Sequence, residues 1–169
     1  MHAVLVSLDF AAPAERVFET VSAHERFLAA PGVSCRLANE GTPERDGLGA
    51  VREVKAGQMT FLEEIITFQR PVRYEYVIRE LRVAGRKTEL LQHEKGTVEL
   101  QERGGHTSVQ WRSRFEVRIP LVGRLLEPIL GAVLTRNFRQ LLEQARRRIE
   151  AETAPDSQAG AKSRGTAAS

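Results

Sequence analysis

Apolar and polar residues change their rhythm along this chain in a set order, and each change predicts an element. Val4, Val6, Leu8 and Phe10 share one parity while Ser7 and Asp9 take the other, the alternation of a half-buried strand. The period then lengthens. Val17, Phe18 and Val21 mark the buried side of a short helix, with Pro13 at its first turn and Glu15 near its positive end. A second short helix is expected over 24–30, stopped by Pro31 and Gly32. Alternation returns over 33–39, 48–55, 59–68, 73–80, 92–103 and 106–118, with turn chemistry in the 41–47 loop and at Ala56-Gly57, Pro71 and Gly104-Gly105. Residues 81–91 read as a loop or an irregular strand extension. Six or seven strands that follow one another in sequence predict an antiparallel sheet.

The clearest pattern comes last. Val109, Trp111, Phe115, Val117 and Ile119 face one way, while Gln110, Arg112, Arg114, Glu116 and Arg118 face the other. Leu126, Ile129, Leu130, Val133, Leu134, Phe138, Leu141, Leu142, Ala145 and Ile149 then recur at three- and four-residue steps, one apolar stripe on a helix reaching about Glu152. Pro128 fits a helix interior poorly, so a short turn over 121–126 and a main helix from near Pro128 are expected. From residue 154 to 169 the composition turns to Ala, Gly, Ser and Thr, which predicts a disordered tail after one domain over 1–153.

A chain of 169 residues with 41% hydrophobic content supports one domain with a real core and is short for two. The net charge of +3 comes from 25 basic and 22 acidic residues spread along the chain. Its densest basic run, Arg146–Arg148, suits a helix C-terminus, and no nucleic-acid partner is expected. Cys35 is the single cysteine and the N-terminus lacks the features of a secretory signal, so a cytoplasmic location is expected. No apolar run approaches the roughly 20 residues of a bilayer span, which leaves room only for transient contact with a membrane surface. The four histidines show no ligand spacing, and neither a phosphate loop nor a dinucleotide fingerprint is present, so neither metal nor cofactor is expected.

The run Ala12-Pro13-Ala14-Glu15-Arg16-Val17-Phe18 resembles the opening of the START-like, Bet v 1-like (SRPBCC) superfamily. Gly104-Gly105-His106-Thr107-Ser108-Val109-Gln110-Trp111 is similar to a turn common in its polyketide cyclase/dehydrase and lipid-transport branch. The resemblance covers about Val4 to Glu152. It implies an α+β helix-grip fold: a curved antiparallel sheet of six to seven strands wrapped around a long C-terminal helix, with two short helices after the first strand. It also implies a hydrophobic cavity for lipids, sterols, polyketides, quinones or plant hormones. The aromatic polyketide cyclases of the superfamily depend on cavity arginine and tyrosine side chains, and no motif here carries those residues over.

Strand parity then selects the polar groups that would face such a cavity. Glu94 shares parity with Val98 and Leu100, although a place near the strand end, reaching water or paired with an arginine, is the simpler expectation for it. Ser113 shares parity with Trp111 and Phe115. Tyr74 and Tyr76 share a face with Ile78 and offer rings with hydroxyl handles. Glu64 goes with Leu62, Ile66 and Phe68, but Glu63 goes with Phe61 and Ile65, so the inward member of the pair stays open. Arg52 is a candidate counter-ion on the adjacent strand, with surface placement the simpler expectation. A buried carboxylate would have a raised pKa and suit acid or base work. The candidate ligand-binding set is Glu64, Tyr74, Tyr76, Glu94, Trp111, Ser113, Phe115 and Phe138. The leading expectation is a binder of a hydrophobic small molecule. The alternatives are a cyclase or dehydratase using Glu94 or Glu64, and a protein-interaction module of the chaperone-activator type.

Overall fold

The computed structural model describes residues 1–153, so the tail expected over 154–169 lies outside the described residues. The chain runs β1 (His2–Phe10), α1 (Ala14–Ser22), α2 (His24–Phe27), β2 (Val33–Asn39), β3 (Val51–Ala56), β4 (Met59–Gln69), β5 (Arg73–Val83), β6 (Arg86–Thr88), β7 (Leu91–Arg103), β8 (His106–Val117) and α3 (Gly123–Thr153). The antiparallel sheet has the order β1-β8-β7-β5-β4-β3-β2, and β6 pairs with β5 alone. The stretch 81–91 thus completes β5 and adds the short β6. One sequence expectation fails: β1 does not lie beside β2 but pairs with the last strand, with Val6 opposite Trp111. Helices α1 and α2 carry the chain from one edge of the sheet to the other. This is the helix-grip fold.

The two sequence motifs meet in space, which explains why both punctuate the chain. Gly104 and Gly105 take φ of 59° and 78°, the positive values a two-residue hairpin turn needs. That turn brings the fully buried Thr107 hydroxyl within 2.7 Å of the Ala12 carbonyl, to which it donates. From the other arm, Glu102 accepts the Ala14 backbone N–H at 2.7 Å. A carboxylate thereby meets the positive end of α1. The hairpin clamps the β1–α1 corner.

Helix α3 lies on the sheet's inner face through Phe138, Leu141, Leu142, Ala145 and Ile149, all buried. Each fully buried large side chain contributes about 1.5–3 kcal/mol, so the C-terminal half of α3 is firmly seated. The N-terminal half is different. It is continuous helix through Pro128, not a separate turn followed by a helix. Proline removes the hydrogen bond to the Arg124 carbonyl, and Arg124 lies at the exposed start of the helix, where that loss costs least. The face turned inward there is Gly123, Glu127 and Gly131, with Leu130 and Leu134 half-buried, while Leu126, Ile129 and Val133 face out. The expected single stripe therefore holds only from Phe138 onward.

Extra residues break the parity of four strands, beginning with Ala38 near the end of β2. Glu94 is skipped between the pairs His93–Phe115 and Lys95–Arg114. On β5, Arg79 is skipped between partners of Leu62 and Glu63, and on β4 Ile66 is skipped between Ile65 and Thr67. Each bulge reverses inward and outward beyond it. At the centre, Gly96 lies opposite Tyr76, and a Cβ there would stand 2.6 Å from the Tyr76 hydroxyl and closer still to its ring carbons. The ring lies across the strand because that position has no side chain. Gly96→Ala is expected to destabilise the protein by about 1–3 kcal/mol through overpacking. In a Tyr76→Leu background the same change should cost much less, as chemical denaturation of the four-member cycle would show.

Candidate functional site

The inner face of the sheet carries a buried polar cluster set against an aromatic stack. Its centre is Arg52, on the same parity of β3 as Val54 and next to the fully buried Ala50, and itself 1% exposed. Its Nε donates to Glu63 Oε2 at 2.7 Å, and its Nη1 lies 2.8 Å from His24 Nδ1. Its guanidinium sits over the Tyr76 ring, 4.6 Å from the centroid. Burial is the largest single influence and would lower the Arg52 pKa, but the Glu63 carboxylate together with Tyr74, Tyr76 and Cys35 offsets it, and the net shift is upward. The cluster thus holds a permanent cation in the core.

His24 supplies a neutral acceptor. Burial, and then the Arg52 charge, push its pKa well below the ordinary value. Its Nε2–H donates to the Asp46 carbonyl at 3.0 Å, which leaves Nδ1 to accept from Arg52. The loop before β3 secures it twice, because Asp46 Oδ1 also accepts the His24 backbone N–H at 3.2 Å. His93 behaves alike. It turns inward, with Nδ1 accepting the Ile78 N–H at 3.2 Å and Nε2 3.1 Å from Ser113 Oγ. Burial, then the Arg52 charge, lower its pKa to about 4.

Tyr74 and Tyr76 face inward as their parity predicts, in different roles. The Tyr74 hydroxyl donates to the Val21 carbonyl at 3.1 Å and ties β5 to α1, and burial raises its pKa to about 12. Tyr76 accepts the Trp111 indole N–H at 3.1 Å, and its ring stacks on His93 with centroids 5.5 Å apart. Trp111 in turn lies flat on Phe138 of α3, with centroids 3.9 Å apart and planes 3° from parallel, and Phe27 of α2 covers it at 5.4 Å. Phe115 is buried farther along β8, 5.5 Å from the His2 ring. The space between sheet and grip helix is closed by this aromatic stack.

Two candidates do not belong to the cluster. Glu94 is the bulged residue of β7, so it points outward and accepts from Arg114 at 2.9 Å. Glu64 also faces outward and pairs with Arg79 at 2.6 Å, while Glu63 is the inward member. Neither carboxylate proposed for acid or base work reaches the core. Sequence reading favoured the surface for Arg52 over the counter-ion role it also offered, and passed over His24 and His93. The Ala50, Arg52, Val54, Ala56 alternation was the available signal for Arg52, whereas nothing local marks His24. Cys35 is half-buried on β2, and burial raises its thiol to about 12. Among the described residues, no group of three or more His, Cys, Asp or Glu is arranged to hold a metal ion.

Residues 1–150 match the sequence profile of the family described as polyketide cyclase/dehydrase and lipid transport. The chain belongs to that family. No curated protein matches it in sequence. Among solved structures, TTHA0849 of Thermus thermophilus is similar at a TM-score of 0.70 and 20% identity, over 90% of this chain and all (100%) of that one. A START superfamily protein of Mycobacterium smegmatis follows at 0.68 and 16%, over 90% and 100%. Ara h 8.0201, a Bet v 1 homologue, aligns at 0.64 and 14%, over 89% and 98%. These likenesses are of fold.

The neutral histidines give a signed pH dependence. Both have folded pKa values below the unfolded 6.5, so the unfolded chain binds protons first, and stability present above about pH 6.5 is lost as pH falls toward the His93 value of about 4. The urea midpoint is expected to drop across that window, and His93→Gln should remove part of the slope. A variant slope equal to the parent's would contradict the placement of His93.

Proposed function

We propose that this protein binds a hydrophobic small molecule with one oxygen-bearing end, such as a lipid, quinone or polyketide-like compound, between its sheet and α3, and that it works in the cytoplasm. One observation carries the reading: Arg52 and Tyr76, polar and buried, stand on the sheet's inner face directly behind the Trp111–Phe138 stack. A binding site for such a molecule needs apolar walls and a few fixed polar groups to set orientation. Trp111, Phe115 and Phe138 serve as walls. Tyr76 is the acceptor in its bond to Trp111, so its own O–H is the donor that a ligand oxygen takes. Ser113, through His93, and Tyr74, through α1, hold the cluster in register. Family membership supports the same reading.

Entry requires Phe138 to leave Trp111, because the two rings are in van der Waals contact. The seated C-terminal half of α3 acts as the fixed end and the lightly packed N-terminal half as the part that yields. The cyclase and dehydratase reading is left without its acid or base, since Glu94 and Glu64 face outward.

Trp111 is the only tryptophan, so it reports on this site alone. Titration with cis-parinaric acid, a fluorescent fatty acid, should give saturable one-to-one energy transfer from Trp111. Tyr76→Phe, which keeps the ring and removes the donor, should weaken binding by about fivefold to tenfold, the worth of one hydrogen bond. Absence of saturable transfer to the folded protein would refute the reading.

A further inference from the structure

Outside the ligand site, the most unusual surface of the molecule is the corner between β8 and the first turns of α3. Leu121 is fully exposed (101%) and, though not glycine, has a φ of 68°. A branched apolar side chain in a left-handed conformation at a loop tip combines backbone strain with unfavourable hydration. It does not stand alone. Leu125 is 72% exposed, Ile129 63%, Val133 50%, Val122 44% and Leu126 37%. Positions 122, 125, 126, 129 and 133 follow helical spacing, so they form one outward stripe over the first three turns of α3, continuous with Leu121. A contiguous apolar patch of this kind marks a contact surface.

The surrounding charge identifies the contact. From residue 118 to 142 the ionisable side chains are Arg118, Arg124, Glu127, Arg136 and Arg139, and the one acid, Glu127, is buried and accepts the Val117 N–H at 3.2 Å. Every exposed charge on this segment is therefore positive. Among the described residues none of these four arginines takes part in an ion pair, whereas several arginines of the sheet's outer face do, as in Arg79–Glu64 and Arg114–Glu94. An apolar stripe that ends in unpaired arginines is complementary to a surface with an apolar interior and anionic headgroups. A second copy of the chain fits less well, because a two-fold contact would set the same arginines against one another. We infer that Leu121, Val122 and the outer face of the first turns of α3 dock the protein on an anionic lipid bilayer, with the leucine tip inserted and Arg118, Arg124, Arg136 and Arg139 at the headgroups. The inference goes beyond ligand binding and stands or falls without it.

The test is flotation of the full chain with vesicles of phosphatidylcholine alone and of phosphatidylcholine mixed two to one with phosphatidylglycerol. Binding to the anionic vesicles is expected, at least about tenfold weaker on the neutral ones and weakened by salt. The triple variant Leu121→Ser, Leu125→Gln, Ile129→Gln changes only exposed side chains and should keep the near-ultraviolet dichroism of the stacked Trp111 while losing vesicle binding by about tenfold or more. Arg124→Gln with Arg136→Gln should weaken binding to the anionic vesicles and flatten its salt dependence. No flotation of the parent protein would overturn the inference, as would a folded triple variant that floats like the parent. Sedimentation showing a dimer that the triple variant disperses, without vesicle binding, would overturn it in favour of a second copy.

Discussion

A positive charge in the core is the constraint around which this structure is arranged. Moving a guanidinium out of water is tolerated only where partners replace the lost hydration, and removing one partner of such a buried pair typically costs about 3–5 kcal/mol. Arg52 draws those partners from separate elements: the Glu63 carboxylate from β4, the His24 ring from α2 and the Tyr76 face from β5. The short helix α2 and the strands β4 and β5 each supply one of the groups that satisfy it. Burial, and then the Arg52 charge, keep His24 neutral, and the neutral ring is what leaves Arg52 an acceptor. A uniformly apolar core of equal volume is a simpler solution to stability alone, so the retention of a charged cluster behind an aromatic wall is a reason to assign it a recognition role.

The two halves of α3 divide labour along the chain. From Phe138 onward the helix buries large residues and holds the sheet. Before that point it turns Gly123, Glu127 and Gly131 inward and its bulk outward. Small inward residues bring little packing energy, so this half is the weaker part of the grip. The architecture therefore places a yielding, apolar and basic corner beside the aromatic closure of the core. The proposed uptake of a ligand and the inferred contact with a bilayer would converge on one end of the molecule.

The sequence made the fold legible because its strongest signals are local. Alternation, Pro13, the Gly104-Gly105 turn and the stripe beyond Phe138 each act over a few residues. Tyr74, Tyr76, Trp111, Ser113 and Phe115 face inward as read because no bulge separates them from the apolar neighbours that set their parity, and Phe138 does so as part of the helical stripe. Parity pointed the wrong way for Glu94, and left Glu63 and Glu64 undecided, for the opposite reason. A single extra residue at Glu94 exchanges it with His93, and the bulges at Arg79 and Ile66 exchange the two sides of β4 and β5 midway. Nothing in composition announces a bulge, because the extra residue is an ordinary one whose cost is met by the partner strand. Arg52 and His24 were hidden differently: each is buried by a partner distant in sequence, and their pairing spans 28 residues. The early helix turns misled because apolar spacing records a face without saying what covers it.

A structure of the protein with a bound long-chain fatty acid tests the central claim most directly. The account predicts the carboxylate within hydrogen-bond distance of the Tyr76 hydroxyl or the Arg52 guanidinium, the chain along Trp111 and Phe115, and Phe138 moved off the indole. A fatty acid bound on the outer surface, with the Trp111–Phe138 stack intact and the Arg52 cluster untouched, would contradict it.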